Sequence, residues 1–421
     1  MQVYQVRKSY KNFLFLIIAL LAGIAAFLNT TPAAAAPMIA SATTSHDWSM
    51  YDFGSQHTNA NPYETTVSVA NASRLAPAWH QPLTYSAYAP TSIAHGIAYT
   101  SDQNGLAAFD ATTGKVLWKK SSINDRSLDS APLIAKGLLI SEPGMQGEIV
   151  AYDATTGKTV WTHEGLIGPA PLTYSSDKIY VGTLTQIYAL DVYTGKTAWS
   201  YNTGGTSNAY VAATQSAPAI ANGIVYTTIS VVAESATLLA LDAKTGKKLW
   251  QYNTGRSSYK NEPNYISGSP SVANGLVYFD TVSHTTEALN ATTGKHVWTA
   301  STGDSFASSS PTLANGVVYS YTGHALYAFD GLSGKKLWLT TLKATGTYPT
   351  GPRIAIANGV IYAGQSFIPS TPGTVLAFDA RTGKQIWHYS IAGTRETYSP
   401  ILVNSTLYIG FDANLYAFKL H

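Results

Sequence analysis

The chain has no cysteine in 421 residues, and only 12% of it is charged. Without cysteine there is no disulfide and no lipobox for lipid attachment, so stability must come from packing. Catalytic signatures are missing too. The ten His form no His-Glu-x-x-His, there is no Gly-x-Ser-x-Gly, and Gly-Lys never ends a phosphate-binding Gly-x-x-x-x-Gly-Lys-Ser/Thr. Long apolar runs are scarce: one stretch, Phe13 to Leu28, follows Arg7, Lys8 and Lys11 and precedes the small residues Pro32–Ala36. That order describes a secretory signal peptide over residues 1–36. The run is marginal for a bilayer, which needs about 20 apolar residues, so an uncleaved N-terminal anchor is the alternative. Those 36 residues hold three basic and no acidic groups, so the formal +3 becomes 23 basic against 23 acidic. A neutral remainder gives no electrostatic footprint for nucleic acid or anionic lipid.

What the chain has in abundance is a repeat. Phe109-Asp110-Ala111-Thr112-Thr113-Gly114-Lys115-Val116-Leu117-Trp118 is echoed by segments ending in Trp161, Trp199, Trp250, Trp298, Trp338 and Trp387. Self-similarity at roughly 40–50 residues signals a propeller or solenoid. Runs of Val, Ile, Leu and Tyr broken by Asn-Gly and Thr-Gly are short strands joined by tight turns, giving strands A to D in each unit. A four-stranded sheet cannot bury both faces alone, so the units must stack in a ring. Gly supplies the positive φ of the C–D turn, the Asp binds the turn backbone, and the Trp wedges against the neighbouring unit.

Eight A–B–C segments begin near Ala89, Ala131, Ala170, Ala217, Ser269, Ser310, Gly351 and Ser399. The last ends at Lys419 without Thr-Gly-Lys or Trp, and its missing strand D lies upstream in Arg74–His80, where Trp79 is the eighth of the series. The expectation is an all-β, eight-bladed propeller of four-stranded antiparallel blades spanning residues 74–421. An N-terminal strand closes the ring and removes a free edge, and a lead-in covers residues 37–73.

The unit at Ile187–Trp199, with Asp47-Trp48-Ser49-Met50-Tyr51 and Asn71–Trp79 ahead of the ring, resembles the tryptophan-docking repeat of PQQ-like propellers. That family includes dehydrogenases that bind pyrroloquinoline quinone and a non-catalytic outer-membrane-protein assembly lipoprotein. The dehydrogenase side of the resemblance implies a Trp platform under PQQ, Glu, Asn and Asp ligands for calcium, a further Asp as base and, in many members, a vicinal disulfide. The disulfide is impossible here, eight of nine Trp belong to the ring series, and no position matches a ligand motif. Six of the fifteen Asp, at Asp110, Asp153, Asp191, Asp242, Asp330 and Asp379, are turn residues of the repeat. No cofactor is expected, PQQ with calcium being the alternative; the lack of a lipobox separates the chain from the assembly lipoprotein.

Successive strands reverse, so A–B and C–D turns share one face of the disc and B–C and D–A loops the other. The first set is short and constant; length varies in 203–216, 254–268, 230–237 and 365–373. Variable loops on a rigid scaffold are where binding resides. Candidate ligand-binding residues around the central funnel on that elaborated face are Tyr88, Arg126, Asp129, Tyr210, Gln215, Asn264, Tyr265, Asp304, Tyr348, Arg395, Glu396 and Tyr398. Opposite charges there suit a carboxylate or hydroxyls, or satisfy one another around a water-filled channel. The reading is an exported, monomeric, non-catalytic platform in the cell envelope, binding a protein or small polar ligand on the loop face. Two alternatives are a minimal quinoprotein dehydrogenase and a carbohydrate-binding propeller that uses its tyrosines.

Overall fold

The computed structural model describes residues 47–83, 90–102, 105–121, 131–142, 147–166, 170–204, 216–229, 236–256, 264–303, 310–322, 324–342, 354–365, 372–394 and 397–421. They form eight antiparallel blades of four strands. Blades 1 to 7 cover residues 92–121, 133–163, 173–202, 219–253, 266–301, 312–341 and 354–391. Blade 8 takes its A, B and C strands from Ile401–Val403, Thr406–Phe411 and Asn414–Leu420, and its D strand from Leu75–Pro82. The N-terminal strand therefore closes the ring as the sequence predicts.

Blades 1 to 7 share one C–D turn chemistry, with Asn290 in place of Asp in blade 5. In blade 1, Asp110 ends strand C (Gly105–Asp110), and its Oδ1 accepts the Thr112 and Thr113 N–H groups at 3.1 and 2.7 Å and the Thr113 hydroxyl at 2.8 Å. These bonds supplement the backbone pairs from Asp110 N to Lys115 O and from Gly114 N to Asp110 O, and hold the Asp110 carboxyl below its usual pKa. Strand D (Val116–Ser121) then carries a bulge: Ala108 faces Trp118 while Phe109 faces Val116, which leaves Leu117 as the extra residue. The register shifts next to the Trp in all eight blades, including between Pro77 and Trp79 in blade 8. Trp79 is the eighth member of the series by backbone geometry as well as by sequence.

The bulge turns each Trp onto the next blade. A Cβ on the turn glycine of that blade would lie 2.5–3.1 Å from the indole at seven interfaces, from Trp79 over Gly114 to Trp338 over Gly383. Glycine is needed there twice, for a positive φ and for the close approach. The indole N–H donates to the carbonyl three residues before that glycine, as Trp199 Nε1 does to Ala243 O at 3.0 Å. A strand-B tyrosine of the same blade donates to the same oxygen: Tyr180 to Ala243, Tyr226 to Ala291, Tyr278 to Gly331, Tyr319 to Ala380 and Tyr408 to Ala111. One carbonyl thus anchors two aromatic side chains across an interface. Blade 8 lacks the Asp-x-x-Thr-Gly-Lys turn, and the equivalent Tyr362 of blade 7 has its hydroxyl buried without a partner.

Candidate functional site: the ring axis and its lead-in

The innermost strand of every blade has an edge facing the axis, and an unpaired N–H buried there is costly. The lead-in satisfies these edges. Ile93, Ile134, Ile220, Val272, Leu313 and Ile356, from blades 1, 2, 4, 5, 6 and 7, donate backbone N–H bonds of 2.6–2.9 Å to the carbonyls of Trp48, Ser49, Ser55, Gln56, Thr58 and Asn59. Ala60–Asn61 continues as a short strand parallel to Ile354–Ala357. The two remaining blades are reached by side chains: His57 Nε2 meets Thr173 Oγ1 at 2.9 Å in blade 3, and Asn61 Nδ2 donates to Leu402 O at 2.9 Å in blade 8. Residues 48–61 thus encircle and fill the axis at the level of strands A. The chain enters at the A–B turn of blade 1, where Asp47 accepts the His95 N–H, and leaves at that of blade 8, where Glu64 accepts the Ser405 N–H.

Making that path in so few residues takes an unusual backbone. Asp52, Phe53, His57 and Asn59 all have φ between 52° and 58°, a left-handed conformation that disfavours a Cβ. Internal bonds from His57 N to Gly54 O and from Asn59 N to Asp52 O hold the turns. Phe53 packs edge-on to Trp48 at 4.9 Å, and Tyr51 sits among Ala131, Ala217 and the His57 ring. Asp52 is buried beside Asn59 and Ser310, and desolvation raises its carboxyl well above the usual range. Burial lowers His57 to about 3, and its Nδ1 has no partner. Among the described residues, the axis is lined by the buried polar side chains of Asp52, His57, Asn59 and Asn61.

Of the twelve residues expected around the funnel, nine (Tyr88, Arg126, Asp129, Tyr210, Gln215, Asp304, Tyr348, Arg395 and Glu396) lie outside the described residues. Asn264 is buried as a latch: its carbonyl accepts the Thr254 hydroxyl, and its Oδ1 accepts the Ser283 N–H at 3.2 Å. Tyr265 is half-buried next to it, with its carbonyl bonded to Val282 N. Tyr398 is packed in the core with Trp48, Ile93 and Ile401. Asn264 and Tyr265 are neighbours at the start of blade 5, whereas Tyr398 belongs to the core between blades 8 and 1. Sequence reading missed the plug itself; the available signal was Trp48, Tyr51, Phe53, His57, Asn59 and Asn61 crowded into a segment without strand alternation.

These features define a β-propeller of the PQQ-like repeat class: eight blades, an indole docked on the neighbour's turn glycine, and a closing N-terminal strand. The family model described as outer membrane protein assembly factor BamB matches residues 64–250 and again 234–420. The chain belongs to that family. Among solved structures it is similar to BamB from Moraxella catarrhalis, at 19% identity over 82% of this chain and 99% of that one, with a TM-score of 0.66. It is also similar to the quinohemoprotein alcohol dehydrogenase ADHIIG from Pseudomonas putida HK5 (14% identity, 89% and 80% covered, TM-score 0.68). A europium-containing methanol dehydrogenase aligns at 14% identity over 90% and 98% of the two chains, with a TM-score of 0.70. At such identities the likeness shows the fold alone. No curated protein matches the sequence significantly.

The described residues do not fit a quinone held over calcium. Seven Trp dock on turn glycines, Trp387 packs against Tyr389 and Phe418, and Trp48 is buried against Phe53, so none offers an open ring face to the axis. Among the described residues no three acidic or His side chains converge as a metal site requires.

Proposed function

We propose that the chain is an exported, non-catalytic binding or assembly platform of the cell envelope, which takes a protein partner or small polar ligand on its D–A and B–C loop face. The observation that carries this reading is the axial plug. Residues 48–61 fill the place where a propeller usually receives a small ligand, and the nine tryptophans are spent on the ring and the plug. What varies between blades is left on one face, on a scaffold made rigid by repeated interlocks. The family match to an assembly factor supports a protein partner over a substrate.

The test is a titration of the full chain with PQQ and calcium, followed by absorbance, thermal shift and reduction of an artificial acceptor. The expected result is no saturable change, since a bound ligand must raise the melting temperature with its saturation. Tight binding with dye-linked alcohol oxidation would overturn the platform reading in favour of a dehydrogenase. Shortening the loops within 205–215 or 257–263, which spares Thr203, Thr254, Asn264 and the strands, is expected to abolish partner capture without lowering the melting temperature.

A further inference from the structure

The zero net charge of residues 37–421 conceals an excess of basic groups on one face of the disc. Fifteen basic groups fall on the A–B and C–D turns and the strand ends beside them, against nine acidic groups there, a net of +6. Residues 47–421 hold 23 of each sign, so the rest of the chain carries −6. Seven of the basic groups are the lysines that follow the turn glycines, one on each of blades 1 to 7, and all are exposed. Six of these turns carry an Asp that is only half-exposed and has its carboxylate tied back by turn N–H groups, as at Asp242 and Asp330, and the seventh carries the neutral Asn290. The outermost layer of this face is therefore cationic.

Apolar groups follow the same division. All eleven exposed large apolar side chains among the described residues lie on this half: Tyr63 and Val69 in the lead-in, Tyr193 and Leu332 on C–D turns, and the others within the first four residues of strands D. A groove of about 520 Å³ between blades 6 and 7 joins both kinds, with Val69, Leu337 and Trp338 in its wall and Arg381 at its side. The chain also enters the ring here, at Asp47, after 46 residues that include the basic cluster and the apolar run Phe13–Leu28.

We propose that the A–B and C–D turn face docks on an anionic lipid surface, leaving the elaborated loop face directed away from it. Basic and apolar groups intermixed on one face are what an interfacial protein presents to anionic lipid. The exposed apolar side chains among the basic ones select a lipid surface over an acidic protein, which would be met by charge alone. This orientation does not depend on whether the loop face binds a protein or a small ligand.

The full chain is mixed with vesicles of phosphatidylcholine, with and without phosphatidylglycerol, at low and high salt. Partition is expected to be stronger on the anionic vesicles and to weaken with salt. A variant combining Lys244→Glu, Lys247→Glu, Arg381→Glu and Lys384→Glu should lose at least about tenfold, since each basic group near such a surface contributes roughly fivefold. Orientation is read separately, and the absence of native cysteine allows clean labels at Thr292→Cys on a turn and Ser121→Cys at the far end of strand D. Energy transfer to a membrane dye should be strong from Thr292→Cys and weak from Ser121→Cys. Equal partition into both vesicle types, or equal transfer from both labels, overturns the proposal, as does salt-sensitive capture of an acidic protein without vesicle binding.

Discussion

Replacing His57 by Asn should change how stability depends on pH, and by an amount the plug geometry sets. His57 is fully buried against Thr173 and Tyr51, and desolvation lowers its pKa from an ordinary 6.5 to about 3. The unfolded chain therefore binds a proton there below about pH 6.5 while the folded chain does not, and stability falls as pH drops through that window. At pH 4.5 the loss from this one group is about 2.7 kcal/mol, two pH units at about 1.36 kcal/mol each. Asp52 works in the opposite sense: its raised pKa favours the folded state as pH falls toward the unfolded carboxylate value, so the wild-type curve alone is a difference. Subtracting the His57→Asn curve cancels Asp52 and every other group. Asn tolerates the left-handed backbone at φ 55°, so the fold survives the change. Denaturant unfolding between pH 7.5 and 4.5 gives the comparison. The wild type should lose about 2–3 kcal/mol relative to the variant on acidification. Parallel curves would refute the burial of His57 and with it the filled axis.

Two substitution pairs probe the interlocks between blades. Gly246→Ala puts a Cβ 2.6 Å from Trp199 Cε3, whereas Gly223→Ala, at a similar φ, meets nothing within 4 Å. The second should cost about 1–2 kcal/mol of backbone strain, and the first a further 1–3 kcal/mol of overpacking, measured by denaturant midpoints. Tyr226→Phe removes a buried bond to Ala291 O and should cost about 1 kcal/mol, while Tyr362→Phe removes a buried hydroxyl without a partner and should be neutral or stabilising. Truncating Trp79 to Ala should cost about 3–5 kcal/mol and expose the blade 8 to blade 1 seam to proteolysis, because Trp79 packs on Gly114 and bonds to Ala111 O.

The ring was legible because its cause is written in side chains. An Asp that caps a turn, a Gly that admits an indole and a Trp that supplies it recur at fixed spacing, and Trp79 upstream of the last unit announces the closure. The plug left no such mark. Six of the eight blades give it a backbone N–H, and a main-chain bond leaves no trace in residue identity; Ile93, Leu313 and Ile356 look like any apolar strand residue. Asn264 and Tyr398 stand at the expected place in the blade, but one latches two loops and the other fills the core beside Trp48. Charge separation was hidden for a topological reason: it exists only once turns far apart in sequence are gathered on one face.

The central claim is that the lead-in fills the axis, and amide hydrogen exchange of the full chain tests it most directly. The N–H groups of Ile93, Ile134, Ile220, Val272, Leu313 and Ile356 face the axis and have the lead-in carbonyls as acceptors. The expected result is exchange as slow as in the middle strands of the blades, since opening them requires displacing the plug. Fast exchange at these six positions, with the rest of each blade protected, would mean a solvent-filled channel and would contradict the claim.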